Sequence, residues 1–416
     1  MLKLDATNVA KRGENAPQRK VRKEKKIKTE RPAKDYKTLI NFAERLKPPY
    51  LNTTLLFSVL GIVIFGLVML YNASNYNSRI YYGTPYYFVT SQAIGFFLGL
   101  GLMAFMYFFD YRILKKLSLW IYLAGAVLLV LVFMPVIGIS KLGSSRWIGV
   151  GGFSMQPSEL AKFAFIIMAA RVAAGGVSGG NAPTFKKFAL ILGAAGIYCG
   201  LIFLEPNLSI TLVLGATAFA VLFLFGAKLK HLFFVLLPAL VALPVMLIAE
   251  PYRVRRLMAF VDPWANPKDE GFQLIQSLFG LGNGGFFGVG FGKSTQKHMF
   301  LPFSESDFIF SIIGEEMGFL GATIFILNLL LIVFLIFRVG QRCHDRFGKY
   351  LCFGFATVLF IQSAVNLAVV TGTIPPTGVP LPFISFGGTS LAVYMAVIGI
   401  VLNIDKANKK AHTTPL

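Results

Sequence analysis

The chain has 416 residues, of which 55% are hydrophobic and only 14% charged, with 41 phenylalanines and a net charge of +21. That apolar share excludes an ordinary soluble enzyme and predicts one polytopic membrane domain with no separate soluble catalytic domain. The charge is uneven: fifteen of the 40 lysines and arginines lie in the first 50 residues, which fits a solvated arm beside anionic lipid headgroups better than a nucleic-acid binder.

Residues 1–50 show no apolar periodicity and read as a basic, disordered cytoplasmic arm with no cleavable signal. Apolar runs able to span about 30 Å of hydrocarbon as helices follow near 53–72, 87–108, 117–138, 158–174, 188–204, 209–226, 231–249, 307–337, 351–371 and 388–404. An even number of spans puts both termini on one side. Thirty lysines and arginines fall on that side and nine on the other, with Lys162 inside a span, so the termini are cytoplasmic. The expected fold is an all-α integral membrane protein of ten transmembrane helices over residues 51–405. A large extracytoplasmic loop, 250–306, separates helices 7 and 8, and 406–416 form a cytoplasmic tail. Cys199, Cys343 and Cys352 lack metal-ligand spacing, and no disulfide is expected.

Three polar segments fall on the outer side. The first runs from Gly143 through Arg146 and Trp147 to Gln156-Pro157-Ser158-Glu159-Leu160-Ala161-Lys162. The second is the 250–306 loop, with Arg253, Arg255, Arg256, Asp262 and a glycine-dense run from Gly280 to Gly292 that ends at Lys293. The third, from Thr371 to Ser390, holds four prolines and four glycines and excludes a continuous helix. Broken backbone at membrane depth must be buried in protein or line a wet cavity, so the three segments are expected to converge on one outward-facing cavity.

Asp307 is the sharpest catalytic candidate, a carboxylate at the outer end of a span. It suits a helix cap or a general base at a cavity floor. Arg253, Arg255 and Arg256 suit headgroup anchoring or a diphosphate. Glu159 and Lys162, three apart, share a helical face and form either a structural ion pair or a substrate contact. Glu315 and Glu316 point about 100° apart and are not expected to face one cavity together. The glycine run lacks Walker spacing and is expected to be a flexible, tightly turning loop.

With these motifs in view, the chain resembles the SEDS family (FtsW, RodA, SpoVE), polytopic peptidoglycan glycosyltransferases, over about residues 50–405. The carriers are Arg146-Trp147, Gln156 to Lys162, Glu205-Pro206-Asn207-Leu208, Arg255-Arg256 to Asp262-Pro263-Trp264 and Gly271-Phe272-Gln273-Leu274-Ile275-Gln276-Ser277. Asp307-Phe308-Ile309-Phe310, Glu315-Glu316 with Gly318, and Pro382-Phe383-Ile384-Ser385-Phe386-Gly387-Gly388 complete the set. Asp-Pro-Trp, Gln-Ser and Gly-Glu-Glu-Met-Gly place it nearer the FtsW/SpoVE branch. The resemblance implies polymerisation of lipid II at the outer face of the bacterial cytoplasmic membrane. Asp307 would be the general base and undecaprenyl diphosphate the leaving group. Arg146, Glu159, Lys162, Arg255, Arg256, Lys293 and Ser385 are the implied substrate-binding residues. Either the cationic side chains or a divalent cation (Mg or Mn) would neutralise the diphosphate; no protein metal site and no nucleic acid are implied. The implied partners are lipid II, the growing glycan strand, a class B penicillin-binding protein transpeptidase and membrane proteins of the division or elongation complex. One departure is that Phe303 and Glu305 stand where the family usually has glutamate and histidine, so no role is carried over to either. A lipid II flippase and a non-catalytic scaffold for a transpeptidase remain as alternatives.

Overall fold

The computed structural model describes residues 50–413 except 135–136, 142–143, 151–152, 176–184 and 249, so the basic arm and Gly143 lie outside the described residues. A helix occupies each predicted apolar run. In chain order these are α1 (Tyr50–Tyr82), α2 (Tyr87–Phe108), α3 (Arg112–Leu131), α4 (Pro157–Ala174), α5 (Phe185–Leu204), α6 (Leu208–Leu224) and α7 (Leu229–Ile248). Two shorter helices, α8 (Pro251–Val261) and α9 (Phe272–Gly284), precede α10 (Ile309–Arg342), α11 (Arg346–Val370) and α12 (Gly388–Thr413). Among the described residues seven helices are long and apolar enough to cross a membrane: α1, α2, α3, α5, α10, α11 and α12. The apolar α6 is shorter, at 17 residues.

The all-α expectation is corrected between α3 and α4. A three-stranded antiparallel sheet stands there, β1 (Gly138–Lys141), β2 (Ser144–Val150) and β3 (Phe153–Met155), in the order β1-β2-β3. The predicted third span therefore ends at Leu131 rather than 138. At Gly138 a Cβ would run into the carbonyl of Val132, so only glycine makes this exit. The sheet delivers Arg146 on β2 towards the turn between α5 and α6, which it reaches through two hydrogen bonds.

The 250–306 segment is also more ordered than a flexible loop. α8 and α9 hold its first half, joined by a short 3-10 turn, Pro263–Ala265, that Asp262 caps through the amides of Trp264 and Ala265 at 3.1 and 3.2 Å. The predicted tight turning is confined to the end of the glycine run, where Gly285, Gly288, Gly290 and Gly292 have positive φ.

Small residues govern the closest helix pair. On α2, Gly95, Gly99 and Met103 recur every four residues and so share one face. A Cβ on Gly95 would strike the backbone of Gly388, and one on Gly399 the backbone of Met103. Without side chains at these points α2 and α12 approach to backbone contact, the way helices associate where lipid removes the hydrophobic drive.

α10 is not one uninterrupted helix. Gly318 has φ 64° and ψ −168°, which opens its hydrogen-bond ladder. The freed groups are met by the glycine-rich turn. Phe319 and Leu320 amides donate to Gly285 and Phe286 carbonyls at 2.9 and 3.1 Å, and Val289 and Gly290 amides donate to Glu315 and Glu316 carbonyls at 3.0 and 3.1 Å. A buried break is tolerable only with such replacement partners. Gly318→Ala puts a Cβ onto the backbone of Gly288 and Phe286 at an unfavourable φ. We expect a loss of about 1–3 kcal/mol, read as a lower unfolding midpoint in detergent; an unchanged midpoint would show that the break is not strained.

Candidate active site

The site is assembled on one face of α11. Gln362 and Asn366 stand four residues apart and so point the same way. Both clip the proline- and glycine-rich segment, which has no helical ladder of its own. Gln362 Nε2 donates to the Pro380 carbonyl at 3.0 Å, and Asn366 Nδ2 donates to the carbonyls of Val379 and Asp307, each at 2.8 Å. The same segment is fastened to the chain before α10. Ser385 Oγ donates to the Ser306 carbonyl at 2.6 Å and accepts from the Leu381 amide at 2.7 Å, and the Phe386 amide donates to the Glu305 carbonyl at 2.9 Å. Ser385 therefore spends its hydroxyl inside the protein, holding two segments together.

Asp307 emerges at this junction. It is half-buried, and its Oδ2 lies so near Gly378 that a Cβ there would be 3.3 Å away. Burial pushes its carboxyl up to about 6, against the Ser306 hydrogen bond and the charge of Arg256; Glu305 pushes it further up and Arg146 pulls it down. A carboxylate poised near 6 is ionised at neutral pH yet more basic than an ordinary aspartate.

Arg146 is half-buried, which lowers the affinity of its guanidinium for its proton, while Tyr252, Glu205 and Asp307 favour the charged form and Arg256 opposes it. Its Nε donates to the Glu205 carbonyl at 3.4 Å and its Nη2 to that of Pro206. Arg256 is exposed on α8. The three arginines of that helix divide. Arg253 is buried, donates to the Met246 carbonyl at 2.7 Å and stacks over Phe203, which is a structural anchorage. Arg255 is exposed and pairs with Glu270 at 2.7 Å, so only Arg256 has no such commitment.

Glu159 and Lys162 form a buried ion pair within a wider hydrogen-bond network. Lys162, fully buried, donates to Glu159 Oε1 at 2.7 Å and to Gln362 Oε1. Glu159 Oε2 accepts from Ser390 Oγ at 2.9 Å, and Tyr394 donates to Gln362 at 2.7 Å. The pair thus joins α4, α11 and α12 directly behind the segment that carries Gly378 and touches Asp307.

Glu315 and Glu316 diverge on their helix yet hold one loop between them, and Glu316 also accepts from Asn72 on α1. Both are buried, and both hold residues 292–297, because that loop curls round the break in α10 and meets both directions. Glu315 accepts from the Thr295 amide and hydroxyl at 3.2 and 2.8 Å, from the Gln296 amide at 3.3 Å and from the Ser294 hydroxyl. Glu316 accepts from the amides of Gly292 and Ser294 at 3.0 and 3.1 Å, from Lys297 at 3.2 Å and from Asn72. Lys293, predicted at the site, is exposed on this turn; Lys297, four residues on, is the buried cation. Glu305 accepts from Asn77 at 3.3 Å and ties the loop to α1.

Gln362, Asn366, Lys297 and Asn72 escaped the sequence reading. A spacing of four between amide side chains within an apolar run was the available signal for the first two. Among the described residues no three His, Cys, Asp or Glu side chains are grouped to hold a metal ion.

Residues 53–410 match the family model described as "Cell cycle protein", FTSW_RODA_SPOVE. A probable peptidoglycan glycosyltransferase FtsW of Geobacter sp. (strain M18) is 38% identical over 351 residues, 83% of this chain and 94% of that protein. Stage V sporulation protein E of Bacillus subtilis (strain 168) is 34% identical over 358 residues, 85% and 97% of the two chains. Among solved structures, a chain of a peptidoglycan synthase complex coordinating polymerization and crosslinking superposes with a TM-score of 0.70 at 30% identity, covering 85% of this chain and 97% of its own. The rod shape determining protein RodA of Thermus thermophilus gives 0.61 at 28%, covering 85% and 96%.

Proposed function

This chain belongs to the FtsW/RodA/SpoVE family and is a peptidoglycan glycosyltransferase, and we propose that it polymerises lipid II at the outer face of the cytoplasmic membrane with Asp307 as general base. The observation that carries this reading is the placement of Asp307. A carboxylate raised to about 6 stands at the meeting of three segments, under the influence of Arg146 and Arg256. Asp307 takes the proton of the acceptor sugar's 4-hydroxyl as that oxygen attacks the anomeric carbon of the lipid-linked donor. The bond to undecaprenyl diphosphate breaks in the same displacement, with inversion. Arg146 and Arg256 offset the charge that develops on the leaving diphosphate.

Ten membrane crossings with both termini cytoplasmic are the topology that puts Asp307 and its neighbours outside, in agreement with the thirty-to-nine charge asymmetry. Lys162, Glu159 and Ser385 act on substrate indirectly, by fixing the segment around Asp307. Arg255 and Lys293 face the outer surface and are assigned to the approach of the anionic substrate rather than to the reacting atoms. A class B penicillin-binding protein is the proposed partner, supported by the similarity to a synthase complex that couples polymerization to crosslinking.

The test is polymer formation from lipid II by the purified protein, with and without a cognate class B penicillin-binding protein. Lipid movement across vesicles with no polymer in either arm would sink the reading. The pH dependence is a second expectation. The base works ionised, so activity should fall as pH drops through about 6, approaching tenfold per unit below it. A rate flat from pH 7 to 5 would exclude Asp307 as the titrating base.

A further inference from the structure

Glu205 stands in the turn between α5 and α6, fully buried, and neither carboxyl oxygen has a hydrogen-bond partner among the described residues. The motif around it is only partly explained by folding. Asn207 caps α6 by accepting from the Ile210 amide at 3.3 Å, but that cap makes no use of the Glu205 side chain. A buried carboxyl without a donor is costly, and it is far less so when protonated.

Its charged neighbour is Arg146. The guanidinium is held by the main-chain carbonyls of Glu205 and Pro206, not by the carboxyl. Two neutral acceptors position the cation without cancelling its charge, and that charge acts on Asp307. From α8, Arg253 lies 5.2 Å over the ring of Phe203, two residues before Glu205, and is bound to the Met246 carbonyl. Beyond Arg146 stand Tyr252, Arg256 and Asp307, which act on the same guanidinium. Burial pushes the Glu205 carboxyl up to about 8, with Arg146 pulling against it.

We propose that Glu205 is a positioning residue working in its neutral form. Protonated, it leaves the charge of Arg146 to an anionic diphosphate beside Asp307; ionised, it takes that charge for itself. The inference deepens the glycosyltransferase reading and rests on the site's being one for a diphosphate.

Binding of farnesyl diphosphate, a short polyprenyl diphosphate, to the full chain in nanodiscs tests it without turnover. Calorimetry from pH 7.5 to 9 would compare wild type with Glu205→Gln, which is neutral at every pH and carries the ligand's own ionisation as baseline. Asp307, at about 6, stays ionised throughout that range. Relative to the glutamine variant, wild-type affinity should fall about fivefold between pH 8 and 9. Glu205→Leu, also neutral, should track Glu205→Gln and serves where the latter folds poorly. In an Arg146→Ala background the difference should vanish. Coincident profiles, no binding by wild type at any pH, or a difference that survives without Arg146 would each overturn the role of Glu205. Absence of polymer in the lipid II assay would instead overturn the enzymatic reading itself.

Discussion

Asp307→Ala is expected to lower lipid II polymerisation by about 10²–10⁴-fold, the usual contribution of a positioned general base, while the protein folds and unfolds as wild type does. The separation of the two effects follows from what each part of the residue does. Its main-chain carbonyl, held by Asn366 at 2.8 Å, is untouched by truncation of the side chain. Its carboxyl is destabilised by burial rather than stabilised by it, so removing it costs the fold little. Asp307→Asn keeps the shape and removes the basicity, and should be as inactive as alanine. Polymer from purified Asp307→Ala at a rate within threefold of wild type would refute the assignment, provided that the melting curves of the two coincide.

The helices were legible because bilayer thickness sets their length: runs of about twenty apolar residues have few other uses. The three strands from 138 to 155 were not, since they are three to seven residues long and carry no alternation sustained enough to oppose the expectation of helix. Within the site, the residues that sequence can find are those whose charge is out of place. Asp307, Arg146 and Arg256 come from three separate segments, and the charges of both arginines favour the ionised form of Asp307. Charge alone does not say which member of a cluster is committed elsewhere. Arg255 is paired with Glu270, Lys293 lies on the surface, and Ser385 uses its hydroxyl on neighbouring backbone. Pairing is a property of tertiary proximity, and a single sequence does not contain it. The amides that hold the segment beside Asp307, Gln362 and Asn366, were hidden for the opposite reason: neutral polar residues in a helix are common enough to attract no notice.

Lys162→Met should be among the most destabilising single substitutions in the membrane domain, at about 3–5 kcal/mol. The lysine is fully buried and its ammonium donates to Glu159 and Gln362. Removing it leaves the Glu159 carboxylate buried with Ser390 as its remaining donor, and an uncompensated buried charge costs more than the ion pair ever contributed. The size of the penalty therefore measures the stranded carboxylate, not the strength of the bond. It follows that Lys162→Met with Glu159→Gln should recover most of the loss, because the second substitution removes the stranded charge and keeps an acceptor for Ser390. Polymerisation should return with it, since the pair acts by holding α4 against α11 and α12. Thermal unfolding and lipid II polymerisation of the two single variants and the double variant decide the matter. If the double variant regained its melting temperature but stayed inactive, Lys162 would have to touch substrate, and the structural reading of this pair would be wrong.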